Sequence, residues 1–264
     1  MSEYRAKGPG GKARMDDFRE DGMAVNYGSF KALTFDCYGT LIDWESGILA
    51  ALRPWARRHA SALGDEALLA AFAEAESAIE ATEPKLLYPD VLRATQRALA
   101  ARFGITPNRA DEDAVGGSVP DWPAFPDSPS ALAYLKGHYK LVIVSNVDRA
   151  SFADSNKRLG VEFDSIVTAQ DVGSYKPNPA HFHEAFKQLA GLGVARGEIL
   201  HVAQSLFHDH VPAKALGMTT VWINRRAGKE GWGATKPPPK PVKPDAEFPT
   251  MEAFAAAHRA ATRS

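Results

Sequence analysis

The feature that most constrains the fold of this chain is a gap. Two short β-type runs, residues 30–35 (FKALTF) and Lys140–Ser145 (KLVIVS), are separated by about 100 residues, whereas connections within α/β units usually take a handful. Beyond the second run the alternation is tight. A helical pattern over Arg149–Leu159 is followed by a strand at Ser165–Thr168, a helix over 180–189 and a strand at 199–202; a helix near 211–216 and a strand at Thr219–Ile223 close the series. Short apolar strands alternating with amphipathic helices predict a parallel sheet covered on both faces, which is a doubly wound, Rossmann-like α/β core.

The gap itself reads as helix. Ile48, Leu52 and Trp55 fall on one face, Leu68, Leu69 and Phe72 suggest a second helix, and Pro89, Val91, Thr95, Ala98 and Leu99 a third, stopped by Gly104. The expected organisation is an α-helical cap over residues 44–124, inserted into a core built from 29–43 and 125–264. Such a cap would cover the carboxyl ends of the strands, where open parallel sheets bind ligands. Its apolar faces, such as Leu68 and Phe72, are expected to pack internally rather than against a second subunit. Residues 1–28, glycine-rich and without periodicity, read as a mobile arm with no apolar signal segment. Residues 236–244 (KPPPKPVKP) should be extended surface chain, and Thr250 should cap a closing helix. Ser128 followed by Pro129 should start another helix that Gly137 ends.

Composition excludes more than it suggests. With 31 basic and 32 acidic residues the net charge is −1, which argues against a nucleic-acid or membrane surface. A single cysteine excludes a disulfide framework and points to a reducing, cytoplasmic setting. No apolar run approaches the roughly 18 residues that cross a bilayer.

The chemistry is concentrated at strand ends. Asp36, in Asp36-Cys37-Tyr38-Gly39-Thr40-Leu41, ends the first strand and is backed by a glycine turn. Ser145 and Asn146 end the second strand, Lys176 lies in Tyr175-Lys176-Pro177, and Asp209 follows the strand at 199–202. Cys37 alternates off the face that carries Asp36 and reads as core packing. His208 and His210 flank Asp209, but neighbours at the start of a helix rarely converge on a metal.

In order and position these four motifs resemble those of the haloacid dehalogenase superfamily. Most of its members are magnesium-dependent phosphatases that carry a second aspartate two residues after the nucleophile and further acids in the fourth motif. Here those positions hold Tyr38 and Gln204. The Asp-x-Tyr-Gly-Thr form resembles instead the L-2-haloacid dehalogenases, which need neither metal nor other cofactor. The resemblance implies that Asp36 attacks a carbon, releases halide and forms an aspartyl ester that water cleaves. It implies Lys176 and Asp209 as Asp36's catalytic partners, and Tyr38, Thr40, Ser145, Asn146 and Ser205 as substrate-binding residues. The implied substrate is a small carboxylate, probed most simply as an (S)-2-haloacid, and the implied assembly a homodimer.

Three positions depart from the dehalogenase pattern. No arginine stands in the early cap stretch 69–76 to grip halide, so Arg53, Arg57, Arg58 and Arg93 are the replacement candidates. Phe182 replaces a tyrosine six residues after the lysine. The fourth motif has one additional residue before Asp209.

Overall fold

The computed structural model describes residues 25–263. Six parallel strands form one sheet in the order β3-β2-β1-β4-β5-β6: β1 Ala32–Phe35, β2 Lys140–Ser145, β3 Ser165–Thr168, β4 Ile199–Ala203, β5 Thr219–Ile223 and β6 Ala246–Phe248. The strand order reverses between β1 and β4. This is the crevice where doubly wound sheets hold ligands. Strand β6 is a short edge strand beyond the proline-rich segment.

The helices are α1 Trp44–His59, α2 Asp65–Thr82, α3 Tyr88–Arg102, α4 Arg109–Gly116, α5 Ser128–Lys136, α6 Arg149–Leu159, α7 Ala169–Val172, α8 Ala180–Gly191, α9 Val211–Ala215 and α10 Met251–Thr262. Alternating strand residues divide the core in two. Ala32, Val142, Val144 and Ile199 meet Phe182, Phe186 and Leu189 of α8 on one face. Leu33, Phe35, Leu141 and Val202 face the other way, in a cluster that also holds Leu52, Trp55, Leu68, Phe72 and Leu92. The helices between β1 and β2 therefore share a continuous apolar core with one face of the sheet. Leu68 and Phe72 are spent inside it.

Local signals explain most boundaries. Thr250 caps α10 by accepting from Ala253 N at 3.0 Å, as expected. Asp127, not Ser128, occupies the cap position of α5; Ser128 is the first helical residue and turns its hydroxyl onto Leu41 O at 2.9 Å. Helix α4, unread in the sequence because it spans two turns with few apolar residues, is capped by Asn108. The expected arm is shorter than residues 1–28 at its inner end. Tyr27 is buried against the Phe254 and His258 rings of α10; residues 1–24 lie outside the described chain.

Candidate active site

Strand β1 delivers Asp36 to the switch point, with its backbone N–H still bonded to Val202 O of β4. The turn beyond it requires Gly39. Its φ is +88°, and a Cβ there would stand 2.9 Å from the Trp44 ring nitrogen. This turn returns Thr40 beneath Asp36, where its hydroxyl donates to Asp36 Oδ2 at 2.7 Å and accepts from Gln204 N at 2.9 Å. Arg225 fixes the same turn by donating twice to Thr40 O while pairing with Asp127.

Lys176 comes from the loop between α7 and α8 and donates in three directions, to Asp36 Oδ1 (2.9 Å), Asp209 Oδ1 (2.7 Å) and Val144 O (2.8 Å). All three ammonium protons are thereby used. Asn146 holds the lysine's backbone, accepting from Lys176 N at 2.7 Å and donating to Lys176 O at 3.1 Å. It is a clamp on Lys176 as much as a cavity wall.

The extra residue before Asp209 is absorbed by a π turn. Leu206–His210 winds with an i→i+5 bond from Val211 N to Leu206 O, which takes up one residue without moving the carboxylate away from Lys176. Asp209 Oδ1 also meets His201 Nε2 at 3.2 Å, and His201 Nδ1 meets Thr34 Oγ1 at 2.9 Å. Sequence reasoning missed His201. The signal was a polar residue inside the otherwise apolar run ILHVA, in register with Thr34 on the neighbouring strand.

Burial and charge pull the carboxyls apart. Burial raises Asp36, and the Lys176 ammonium and Thr40 hydroxyl only partly oppose it, so its pKa lies above the ordinary value. Burial would also raise Asp209, but Lys176 and His201 outweigh it and hold that carboxylate below the usual range. Lys176 stays charged: burial lowers its pKa, yet the two carboxylates raise it further.

Asp36, Tyr38, Ser145, Asn146, Lys176, Ser205 and Asp209 all line one cavity of about 30 Å³. It has room for a water molecule or two, so a small carboxylate would require the helices above to lift. Tyr38 turns its hydroxyl out of the site, to Ser155 Oγ at 2.8 Å on α6. Ser205 accepts from His208 N at 3.0 Å and contacts Thr235 Oγ1 at 3.0 Å; it is the cap of the π turn. Ser145 Oγ, His208 Nε2 and Asp209 Oδ2 are buried without partners. Burial lowers both His208 and His210 to about 4, and they diverge: His208 lines the cavity, whereas His210 donates to Ala203 O at 3.0 Å. Cys37 is fully buried in the apolar core.

None of the four candidate arginines reaches this cavity. Arg53 pairs with Asp65, Arg58 with Asp111, and Arg93 with Asp90 and Asp113, all on the surface of the inserted helices; Arg57 is exposed there. In their place α2 sends in Glu76 and Glu80, and α3 sends Tyr88. These acids were legible in principle. Leu69, Phe72, Glu76 and Glu80 continue one helical face at three- and four-residue spacing. Phe182 packs edge-on to His201, with ring centroids 5.0 Å apart, and does not line the cavity.

The model of the haloacid dehalogenase-like hydrolases matches residues 30–215, most of the chain. The chain belongs to this hydrolase family. Among relatives, (S)-2-haloacid dehalogenase 4A of Burkholderia cepacia is 27% identical over 207 residues, covering 75% of this chain and 84% of that protein. The pyrimidine 5'-nucleotidase YjjG of Escherichia coli is 26% identical over 127 residues, 47% of this chain and 56% of its own. The L-2-haloacid dehalogenase of Xanthobacter autotrophicus, solved with chloropropionic acid covalently bound, superposes with a TM-score of 0.68 at 20% identity; the match covers 87% of this chain and 98% of that one. That likeness shows the shared fold.

The magnesium site of the family's phosphatases does not fit the residues here. Lys176 Nζ already bonds one oxygen each of Asp36 and Asp209. Gln204 offers a neutral amide where the phosphatases' fourth motif carries an acid, and it lines a neighbouring cleft, not this cavity. Among the described residues no helix is long and apolar enough to cross a membrane.

Proposed function

We propose that this hydrolase cleaves the carbon–halogen bond of a small (S)-2-haloacid without a metal, through an ester on Asp36. The observation that carries the reading is Tyr38. A phosphatase of this family needs a general acid two residues beyond the nucleophile, and the phenol here is committed to Ser155 on the far side. A halide leaving group needs no proton.

In the first step an oxygen of Asp36 attacks C2 of the substrate, a C–O bond forms, and halide leaves with the bonding electrons. Lys176 and Thr40 keep the attacking carboxylate ionised and aimed. In the second step water adds to the Asp36 carboxyl carbon. Lys176 and Thr40 are placed to steady the negative charge that develops on the carbonyl oxygen of the ester before the C–O bond to the substrate breaks. Asp209 Oδ2, an open acceptor, and His208 Nε2, also unpartnered on the cavity, can hold that water. The (R)-2-hydroxyacid departs with the original Asp36 oxygen; the enzyme regains an oxygen from water, and one proton is released. The configuration inverts because displacement occurs once at C2.

Halide release from a panel of 2-haloacids in EDTA, with mass analysis of Asp36 after a single turnover in ¹⁸O-water, tests the reading. Halide and a labelled Asp36 are expected. Magnesium-dependent phosphate release, or no halide from any member of the panel, overturns it.

A further inference from the structure

The catalytic cavity contains more carboxyl groups than dehalogenation of a simple haloacid explains. Four carboxyl groups line it, those of Asp36, Glu76, Glu80 and Asp209, against the single lining cation Lys176. That ammonium is consumed by Asp36, Asp209 and Val144 O. Glu76 and Glu80 lie one turn apart on α2 and are only 2% and 6% exposed. Glu76 accepts one bond from Tyr88 Oη at 2.7 Å. Glu80 has both oxygens 3.5 Å from Asn146 Nδ2, the outer limit of a hydrogen bond, and that amide is already better engaged on Lys176 O. Lys236, half-buried and outside the lining, is the other charge close enough to favour the ionised form of Glu80.

Burial without a cationic partner raises both Glu76 and Glu80 toward their protonated forms, and a cation entering this end of the cavity would let them ionise and pair. A second observation points to a ligand. Ser145 Oγ and His208 Nε2, both more than nine-tenths buried, open onto the same cavity with no partner in the protein.

Resting on the reading of Asp36 as the nucleophile toward 2-haloacids, we infer that the preferred substrate carries a protonated amine on the substituent beyond the reacting carbon. The ammonium seats against Glu76 and Glu80, and the carboxylate faces Ser145. A substituent such as methyl would leave both acids unmet and a net anion beside them. An ammonium supplies three donors and cancels the substrate's own charge. The chemistry at C2 is unchanged; the inserted helix α2 selects what hangs from it.

The test compares kcat/KM for (S)-3-amino-2-chloropropionate, (S)-2-chloro-3-hydroxypropionate and (S)-2-chloropropionate on the wild-type chain, each with ¹⁸O analysis of Asp36. A preference for the amine of tenfold or more over chloropropionate is expected, of the kind seen where a site is built to bond a group its competitor lacks. Glu80→Gln should collapse that ratio at least tenfold, mainly through KM for the amine; Glu76→Gln serves the same purpose if the first variant fails to fold. Labelled Asp36 with no preference for the amine overturns this inference alone. Turnover of the hydroxyl substrate equal to that of the amine also overturns it, in favour of a neutral donor. If none of the three substrates labels Asp36, the covalent reading falls and this inference with it.

Discussion

The floor and the roof of the cavity are built on opposite principles. The floor, from the ends of β1, β2 and β4 and the Lys176 loop, is an interlocked chain: Thr40, Asp36, Lys176, Asp209, His201 and Thr34 are each bonded to the next. The roof, from α2 and α3, brings two carboxyls held by one good bond and one marginal contact. A charge network in which every member is paired can be rigid at low dielectric. One left incomplete is costly unless something fills it. On the proposed reading, reaction chemistry belongs to the sheet and selection to the inserted helices.

The largest expected effect breaks the floor. Asp36→Asn should reduce halide release by about 10⁴-fold or more while leaving the circular dichroism spectrum intact, because the covalent route disappears. Retention of a tenth of the activity would remove Asp36 as nucleophile.

Lys176→Met comes next, because it strands two buried carboxylates. A cost of ~3–5 kcal/mol in urea denaturation is expected. Since Lys176 lowers the Asp36 pKa, its loss should also move the acid limb of the pH–rate profile upward. An acid limb that stays in place would show that Lys176 does not tune the nucleophile.

The roof should reveal itself through pH. Burial, only partly opposed by the Tyr88 hydrogen bond, raises Glu76 from an ordinary 4.5 to about 8. Between those values the folded chain holds a proton the unfolded chain has lost. Stability is therefore fullest below about pH 4.5 as far as Glu76 is concerned, falls as pH rises, and stops falling above about 8. The slope is up to ~1.4 kcal/mol per pH unit. Glu76→Gln should flatten this decline in denaturation midpoints measured from pH 5 to 8. An unaltered slope would mean that Glu76 does not carry the proton.

The smallest effect belongs to Tyr38→Phe. Losing the bond to Ser155 should cost ~1 kcal/mol of stability and change halide release only a few-fold. A hundredfold loss would restore the phenol as a proton donor and sharpen the case for phosphoryl chemistry.

Much of the floor was legible because its residues come from contiguous motifs at strand ends. Asp36, Ser145, Lys176 and Asp209 all reach the same cavity. His201 was hidden because its role depends on register with Thr34, and register is a pairing between distant segments. The roof was read by what it lacks, an arginine, rather than by what it contains. Four arginines near it invited a search for a replacement, yet surface aspartates and the solvent claim them. Glu76 and Glu80 went unread because charged residues on helices usually face water.

By itself the sequence determined the parallel sheet, the helical insertion after its first strand and the placing of Asp36 and Lys176 in motifs at strand ends. Each of these is written in local periodicity or in a short motif at the end of a strand. Tertiary structure decided which charges were buried together. Whether an acid on α2 faces water or Asp36 depends on how that helix is rotated against the sheet. Local spacing puts Glu76 and Glu80 on the same face as Leu69 and Phe72, but where that face meets the sheet follows from Leu68, Leu69 and Phe72 entering a core shared with β1 and β2, which is a packing outcome.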